Sequence, residues 1–287
     1  MPKISFVILT YNSEAYIETL LNSILKFYRE DIEKKIIEIV IVDNSSSDKT
    51  VYLARKFNNL RIIENKENLG FSKGINLGVS RTSSEFVAIL NPDTRLQGGD
   101  FFKTVEMFNN DKTLGVVGGK ILKKDGREEK STGRFLKTLE VFLMALGLDE
   151  FFGLRSSPNK LKDVDFVSGG FMITRKKLFE KLSGFDENLF MYVEDMEFCY
   201  RVKQEGYRVM FDPTLSIYHE SHGSSSRGFA VVNIYKGLFY FHKKHGNLFS
   251  YFMVKLILRL KALSLVLIGR ILNKNYLISA YSDALKI

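Results

Sequence analysis

Cysteine is almost missing from this sequence of 287 residues, in which Cys199 is the only one. A single thiol excludes an internal disulfide and fits a reducing compartment. A basic and apolar leader is also missing, because Met1-Pro2-Lys3 runs directly into a candidate strand. We therefore expect the protein in the cytoplasm, or attached to the cytoplasmic face of a membrane.

Acidic residues are scarce towards the C-terminus. From Phe229 onward, nine Lys and Arg residues stand against one acid, Asp283, while the whole chain has a net charge of +9. The preceding part is therefore close to neutral, which argues against nucleic acid as a partner. The basic C-terminal part favours contact with an anionic surface.

Long uncharged apolar runs are absent from this basic part as well. Residues 249–271 are strongly apolar, but Lys255, Arg259, Lys261 and Arg270 interrupt them, whereas a spanning helix needs about 20 mostly uncharged residues. Lys255, Arg259 and Arg270 share one side of a helical wheel and leave a broad apolar face. This pattern predicts an amphipathic helix lying on an anionic membrane. A helix that covers the domain's own core, or the partner of a homodimer, is the alternative.

Apolar runs of strand length alternate with helical patterns through the rest of the chain. Examples are the runs 4–9, 36–42 and 86–90, which have helical periodicity between them. Strands that alternate with helices predict an α/β fold with a mostly parallel central sheet and helices on both faces. Residues 123–163 do not follow this pattern, and we interpret them as a mobile insert over the site.

The strand 86–90 stops abruptly at Asn91-Pro92-Asp93. Proline denies the sheet an N–H group and ends the strand, which leaves Asp93 at the carboxyl edge, where open α/β sheets bind ligands. A carboxylate there suits a divalent cation that also holds phosphate oxygens. A strand followed by an Asx turn is the plain alternative.

Three further segments have two interpretations each. In the helical run with Gly70, Gly74 and Gly78, each interior glycine costs about 1 kcal/mol against alanine. This run packs tightly on the sheet, lets a nucleotide lie along it, or does both. The pair Gly169-Gly170 in a candidate strand marks a bulge or the close approach of a ligand. The acids at the start of the predicted helix, within 194–197, either interact favourably with the helix dipole or take part in catalysis.

Together these segments resemble the family 2 glycosyltransferases with the GT-A fold, especially the bacterial rhamnosyltransferase-like branch that builds surface polysaccharides. The resemblance covers roughly Lys3 to Ser226 and rests on five ordered motifs. The motifs are Val7-Ile8-Leu9-Thr10-Tyr11-Asn12, Val42-Asp43-Asn44-Ser45-Ser46-Ser47-Asp48, Asn68-Leu69-Gly70-Phe71, Leu90-Asn91-Pro92-Asp93, and Gly184-Phe185-Asp186-Glu187 with Glu194-Asp195. It implies a catalytic, nucleotide-sugar-binding domain over residues 1–226 and a basic amphipathic helical region over 227–287.

The resemblance also implies the residues that bind the nucleotide-sugar donor. The base and ribose would be held by Thr10, Tyr11, Asn12 and Asp43. The nucleotide or its phosphates would lie along Asn68 and Lys73. The remaining donor-site residues would be Asn91 and the pair Gly169-Gly170, which would line the donor sugar or the acceptor entrance.

The metal and the catalytic base follow from the same resemblance. Asn91-Pro92-Asp93 matches the family's Asp-X-Asp position, with asparagine in place of the first acid. Asp93 would hold Mg²⁺ or Mn²⁺ together with His219, and His222 is the competing second ligand. Asp195 would be the catalytic base and Glu194 its supporting or acceptor-binding neighbour.

A carboxylate within hydrogen-bond reach removes the proton of an attacking sugar hydroxyl, and a cation neutralises charge on the leaving nucleoside diphosphate. One base without an enzyme nucleophile implies inversion at the anomeric carbon. The expected donor is dTDP- or UDP-linked: dTDP-L-rhamnose, a UDP-hexose or UDP-galactofuranose. The acceptor would be a glycan or lipid-linked glycan. A nucleotidyltransferase is disfavoured, because Thr10-Tyr11-Asn12-Ser13 lacks a glycine-rich basic loop; a non-catalytic membrane-bound scaffold is the other alternative.

Overall fold

The computed structural model describes residues 3–220 and 227–287. His222, the competing metal ligand, lies outside the described residues. The strands are β1 (Ile4–Thr10), β2 (Ile37–Asp43), β3 (Leu60–Glu64), β4 (Phe86–Leu90), β5 (Thr94–Gly98), β6 (Leu114–Lys123), β7 (Glu128–Glu129), β8 (Thr132–Gly133), β9 (Arg155–Ser156), β10 (Lys162–Asp163), β11 (Phe166–Val167), β12 (Phe171–Arg175) and β13 (Arg208–His219). The helices are α1 (Ile17–Glu33), α2 (Thr50–Ala54), α3 (Gly70–Ser80), α4 (Phe101–Asn110), α5 (Thr138–Ala145), α6 (Lys176–Lys181), α7 (Glu194–Gln204), α8 (Arg227–His245), α9 (Leu248–Ile271) and α10 (Asn275–Leu285).

The main sheet has the order β10-β13-β6-β12-β4-β1-β2-β3. The strands β4, β1, β2 and β3 run parallel, and β13 is parallel to β6. Strand β12 lies antiparallel between β4 and β6. The predicted α/β fold with a mostly parallel sheet and a helical C-terminal region is confirmed.

Both faces of the sheet are covered, because its central strands are apolar on both sides. Phe6 and Ile8 of β1 point into a cluster with Leu20 of α1, whereas Val7 and Leu9 point into a cluster with helix α3. The parallel strands end together, so the polar residues that follow them meet at one edge of the sheet. This edge carries the candidate site.

The glycines of α3 are explained by packing on β1. A Cβ added to Gly74 would lie 2.3 Å from Leu9 Cδ1, and one added to Gly78 would lie 2.6 Å from Val7 Cγ1. Separations of this kind do not occur between real side chains, so the helix can approach the strand only without Cβ atoms at these positions. The structure supports the packing interpretation of this segment and not a nucleotide lying along the stripe.

The C-terminal helices share a core with the rest of the protein. Leu238 and Phe241 of α8 and Leu258 of α9 belong to the same buried cluster as Val7. The domain boundary between residues 226 and 227 stays a prediction, but the hydrophobic core is continuous across it. Within residues 3–220 and 227–287, we find no helix with the length and apolar character needed to span a bilayer.

Three apolar runs of the sequence, 166–173, 207–211 and 217–219, form strands whose divisions only the structure shows. The run 166–173 divides into β11, which pairs with β8 in a small separate sheet, and β12, which enters the main sheet. The runs 207–211 and 217–219 form one strand, β13, whose register shifts between Asp212 and Ser216. The insert 123–163 contains β7, β8, β9, β10 and α5; its mobility stays a prediction.

Candidate active site

The ends of β1 and β2 are joined by a buried carboxylate. Asp43 accepts hydrogen bonds from the hydroxyl of Thr10 at 2.8 Å, and from the backbone N–H and hydroxyl of Ser46 at 2.8 and 2.6 Å. Thr10 is fully buried and Asp43 is 2% exposed. In this arrangement both side chains support the loops around them; a direct contact with base or ribose stays a prediction.

The loop after β1 is tied to the loop after β2. Asn12 has a left-handed backbone with φ of 49°, and its side-chain oxygen accepts a hydrogen bond from the backbone of Ser47 at 2.9 Å. Tyr11 is 42% exposed. Of the residues predicted to bind the base and ribose of the nucleotide, Thr10 and Asp43 are therefore buried, whereas Tyr11 and Asn12 are exposed to solvent.

A second polar network joins β2 to the start of α3. The amide of Asn44 donates to Asn68 Oδ1 at 3.2 Å and to the carbonyl of Gly70 at 3.0 Å. Asn68 Oδ1 also accepts from the Gly70 N–H at 2.9 Å. Lys73 lies beside this network, exposed on α3, where it lines a groove of about 550 Å³ with Asn76. The structure thus brings Asn68 to the edge of β2 but does not join Lys73 to it.

Asp93 and His219 are brought together by strand pairing. Strand β5 pairs antiparallel with β13, so that Thr94 lies opposite His219. The carboxylate Oδ2 of Asp93 is 3.3 Å from His219 Nε2, and Asp93 is 8% exposed. The two residues that the resemblance selected as metal ligands therefore face each other at the sheet edge.

Glu129 is a member of this cluster that sequence reasoning missed. Its Oε2 lies 3.0 Å from Nδ1 of His219. Burial alone would lower the pKa of His219, but the hydrogen bonds and charges of Asp93 and Glu129 outweigh it and raise that pKa to about 10. The bond to His219 in turn lowers the pKa of Glu129. No local pattern marks Glu129, because only the pairing of β7 with β6 places it there.

The donor set fits a divalent cation that is completed by its substrate. In the part of the chain that the structure describes, no cluster of three or more His, Cys, Asp and Glu side chains has a metal-binding arrangement. Asp93 nevertheless supplies one oxygen, and His219 would supply one nitrogen when the cation displaces its proton. A cation that binds diphosphate needs only one or two protein ligands. A carboxylate on the second nitrogen of a histidine is the usual support of a metal-bound imidazole, and Glu129 occupies that position.

The glycine pair joins the Asn91 turn to Asp195. The N–H of Gly169 donates to Asp195 Oδ2 at 3.0 Å, and the N–H of Asn91 donates to the carbonyl of Gly170 at 3.1 Å. A Cβ on Gly170 would lie 2.8 Å from Asn91 Nδ2. The metal-side turn and the candidate base therefore both approach the backbone of this glycine pair closely.

The start of α7 is strained and carries two carboxylates. Tyr192 and Val193 have φ of 70° and 72°, which is costly for a β-branched residue. Among the described residues, Oε2 of the buried Glu194 has no hydrogen-bond partner. Burial and the charge of Asp195 raise the pKa of Glu194. Burial also raises the pKa of Asp195, against the opposing hydrogen bond from Gly169. Asp195 is partly exposed, so it is the more accessible carboxylate.

Helix α8 holds this strained turn from outside. A Cβ on Gly237 would lie 2.8 Å from Val193 Cγ2, so the turn packs directly on the backbone of α8. Glu197, which is fully buried, is bound by Lys244 at 2.7 Å, His245 at 2.9 Å and Arg201 at 2.7 Å. The motif residue Asp186 is bound by Tyr240 at 2.8 Å. The contacts of Lys244, His245 and Tyr240 were not predicted, because they join distant segments of the chain.

Comparisons with known proteins agree with this architecture. The profile described as Glycosyl transferase family 2 matches residues 5–183. The chain is 27% identical to the low-salt glycan biosynthesis hexosyltransferase Agl10 of Haloferax volcanii over 210 residues, which are 72% of this chain and 63% of that protein. Its fold is similar to that of GalNAc-T7 with UDP, GalNAc and Mn²⁺, with a TM-score of 0.61, 15% identity, and coverage of 83% of this chain and 48% of that chain. It is also similar to that of a mannosyltransferase from Pyrobaculum calidifontis in complex with GDP-Man and Mn²⁺. Here the TM-score is 0.59 and the identity 17%, with coverage of 99% of this chain and 87% of that chain.

The sheet order and these structural neighbours define a GT-A fold. The chain belongs to glycosyl transferase family 2, because the match covers more than half of its length. It spans less than two thirds of the length of Agl10. Identities of 15% and 17% to the solved structures establish the fold alone.

Proposed function

We propose that this protein is a metal-dependent, inverting glycosyltransferase that moves a sugar from a nucleoside diphosphate to a saccharide or lipid-linked acceptor. The observation that carries this proposal is the junction at Gly169-Gly170. There the candidate base Asp195 meets the turn that carries Asp93. A proton acceptor and a place for a diphosphate-bound cation are therefore adjacent, as transfer to a hydroxyl requires.

Asp195 performs the proton transfer in this proposal. As the acceptor oxygen attacks the anomeric carbon, its proton passes to the carboxylate of Asp195 and the bond to the nucleoside diphosphate breaks. Gly169 keeps Asp195 oriented through its N–H group. Glu194 is buried beside it with a raised pKa, so we assign it a supporting role. No enzyme nucleophile intervenes, and the anomeric configuration inverts.

Asp93 and His219 would hold Mg²⁺ or Mn²⁺, and Glu129 would orient His219. The cation supplies charge neutralisation for the leaving diphosphate. Structural neighbours that contain Mn²⁺ support this choice.

The donor site would lie along the ends of β1, β2 and α3. The ring of the exposed Tyr11 offers a flat surface for a base, and Asn12 lies next to it. Thr10 and Asp43 keep that loop in place from below. Asn68 and Lys73 would face the nucleotide or its phosphates, and Asn91 with the glycine pair would border the transferred sugar.

The finer proposal is dTDP-L-rhamnose as donor, with a UDP-hexose or UDP-galactofuranose as the alternative. The presence of UDP in one structural neighbour and GDP-Man in another sets the range to be tested. A glycan acceptor is supported by the relative in glycan biosynthesis. We place the enzyme on the cytoplasmic face of an anionic membrane, where a lipid-linked acceptor would be presented.

Calorimetric titration of dTDP, UDP and GDP, each with and without Mn²⁺, tests this function. We expect one nucleotide to bind more tightly with Mn²⁺, and the Asp93→Ala variant to lose the metal-dependent part. The preferred base then selects the sugars for a transfer assay. If none of the nucleotides binds to the folded protein, the transferase proposal is wrong and the scaffold alternative is favoured.

A further inference from the structure

Helix α9 has two apolar faces. One face is buried in the core through Val254, Leu258 and Ala262. The other consists of apolar side chains spaced three or four residues apart that are more than half exposed: Phe252, Leu256, Leu260, Leu263, Leu267 and Ile271. Such spacing forms a continuous stripe along a helix. This stripe is paired with nothing in the described part of the chain.

The insert extends this stripe sideways. Helix α5 lies against α9, where Thr138 and Ser250 share a hydrogen bond of 2.9 Å and Lys261 donates to the carbonyl of Met144 at 3.1 Å. The insert exposes its own apolar side chains in and after α5, namely Leu139, Phe142, Leu146 and Phe151, of which Phe151 is 83% exposed. We call these four residues and the exposed stripe of α9 the α5–α9 face.

Cations border this face. Lys255, Arg259 and Arg270 follow one edge of the exposed stripe of α9. None of the three has an ion pair with an acid of the described residues, although Lys255 lies over the rings of Phe239 and Tyr251. An apolar surface with a border of unpaired cations matches the acyl region and headgroups of an anionic bilayer.

A second copy of the chain is a poorer occupant. It would bring the same cations to the interface, and Asp283, the one acid after Phe229, already binds Lys286 at 2.6 Å. The insert carries three acids, Glu140, Asp149 and Glu150, but Glu150 binds Lys130 at 3.0 Å and Asp149 acts on Lys261 of α9. Paired copies would therefore place the unpaired cations of both α9 helices together with few free carboxylates to neutralise them. Charge complementarity favours lipid.

We propose that the α5–α9 face docks on an anionic lipid bilayer, with the insert entering the interface beside α9. The proposal extends the attachment expected from α9 alone by adding the insert residues 139–151 as a second contact. It deepens the membrane location in the proposed function and rests on it to that extent. Vesicle binding is measured without a transfer reaction. A failure of the membrane-docking proposal can therefore be distinguished from a failure of the proposed transferase function.

The absence of tryptophan from the chain allows a direct test. The Phe151→Trp variant of the full chain carries a single indole on the insert. With vesicles of phosphatidylglycerol and phosphatidylcholine, we expect its emission to shift to the blue. A matched Tyr52→Trp variant, at a position on α2 that is 66% exposed, should show no shift. If the protein sediments with vesicles and Phe151→Trp shows no shift, the insert is not a contact and the composite face is wrong.

Sedimentation with vesicles gives the contributions of the apolar and basic parts. We expect about tenfold weaker binding for Phe151→Ser, and about fivefold weaker binding for Arg259→Gln and for Arg270→Gln at low salt. Arg29→Gln, on the exposed side of α1, is the matched control and should bind as the wild type does. Equal binding to pure phosphatidylcholine would overturn the role of charge. A dimer in light scattering that Phe151→Ser dissociates, without vesicle binding by the wild type, would assign the face to a second copy.

Discussion

Two parts of the candidate site are built in opposite ways. At the ends of β1 and β2, the buried carboxylate of Asp43 is satisfied by Thr10 and Ser46. At the start of α7, Val193 has a costly backbone conformation and a carboxylate oxygen of Glu194 is left without a partner in the described chain. We call the first part the nucleotide side and the second the base side.

The difference shows which part of the site lowers the stability of the fold. Strain and unsatisfied polar groups persist only where the surrounding structure enforces them, and they concentrate at functional sites. On the base side, α8 provides this enforcement through Gly237 and through the ion pairs of Glu197. We therefore expect changes on the base side to affect chemistry and stability, and to leave nucleotide binding unchanged.

Replacement of the base should have the largest effect. Asp195→Asn keeps the size of the side chain but removes the proton acceptor, so we expect kcat to fall about 1,000-fold while nucleotide affinity is unchanged. Transfer assays and calorimetry measure the two quantities. Asp125→Asn, in an exposed turn of the insert, is the control and should retain full activity. Normal activity of Asp195→Asn would eliminate Asp195 as the base.

The pH profile gives a second measure of the same residue. Burial raises the pKa of Asp195, and a base acts only when deprotonated. The rate should therefore fall with decreasing pH at a value above about 3.9, the ordinary pKa of aspartate. A rate that stays constant down to that pH would contradict the assignment.

Loss of the buried carboxylate between α7 and α8 should have the next largest effect. Glu197→Gln leaves Lys244, His245 and Arg201 without their shared anion, and we expect the free energy of unfolding to fall by about 3 to 5 kcal/mol. Glu205→Gln breaks an exposed pair with Lys181 and should cost less than about 1 kcal/mol. Chemical denaturation measures both. Equal losses would show that the buried pairs contribute no more than a surface pair.

The same carboxylate predicts acid sensitivity. Burial opposes ionisation of Glu197, but the bonds from His245, Arg201 and Lys244 outweigh it and lower the pKa to about 2 from an ordinary value of 4.5. A lowered pKa stabilises the fold above the ordinary value, and the stabilisation is lost as the pH falls towards 2. Wild type should lose roughly 3 kcal/mol over this range from this group, and Glu197→Gln should lack this contribution.

Glu129 tests the metal side without the transfer reaction. Glu129→Gln should weaken Mn²⁺ binding about 10- to 100-fold, because the carboxylate that orients His219 is lost. Electron paramagnetic resonance of free Mn²⁺ measures this directly. The neighbouring Glu128→Gln, which loses an ion pair with Lys120, is the matched control. Unchanged Mn²⁺ affinity in Glu129→Gln would show that Glu129 does not position the ligand.

Sequence patterns predicted those parts of the site whose position depends on a short stretch of the chain. The apolar run of β4 and the proline after it predicted Asp93 at a sheet edge, and the spacing of apolar and basic residues predicted α9. Glu129 was not predicted as a site residue, because β7 has only two residues and therefore no detectable periodicity. Lys244 and His245 lie in the basic C-terminal part, and the sequence does not reveal their partner Glu197, because it is distant in the chain and only the packing of α8 on α7 joins them.

The smallest predicted effect separates packing from chemistry. Gly237→Ala places a methyl group 2.8 Å from Val193 Cγ2. Such overpacking destabilises a fold by about 1 to 3 kcal/mol, whereas the higher helix propensity of alanine stabilises it by about 1 kcal/mol. We expect a net loss near 1 kcal/mol in unfolding and a kcat about tenfold lower, since a displaced Val193 moves Asp195. Gly228→Ala, also in α8, meets Ala280 at 3.7 Å and should retain full activity with equal or higher stability. If Gly237→Ala unfolds more easily but turns over normally, α8 stabilises the fold without positioning the base.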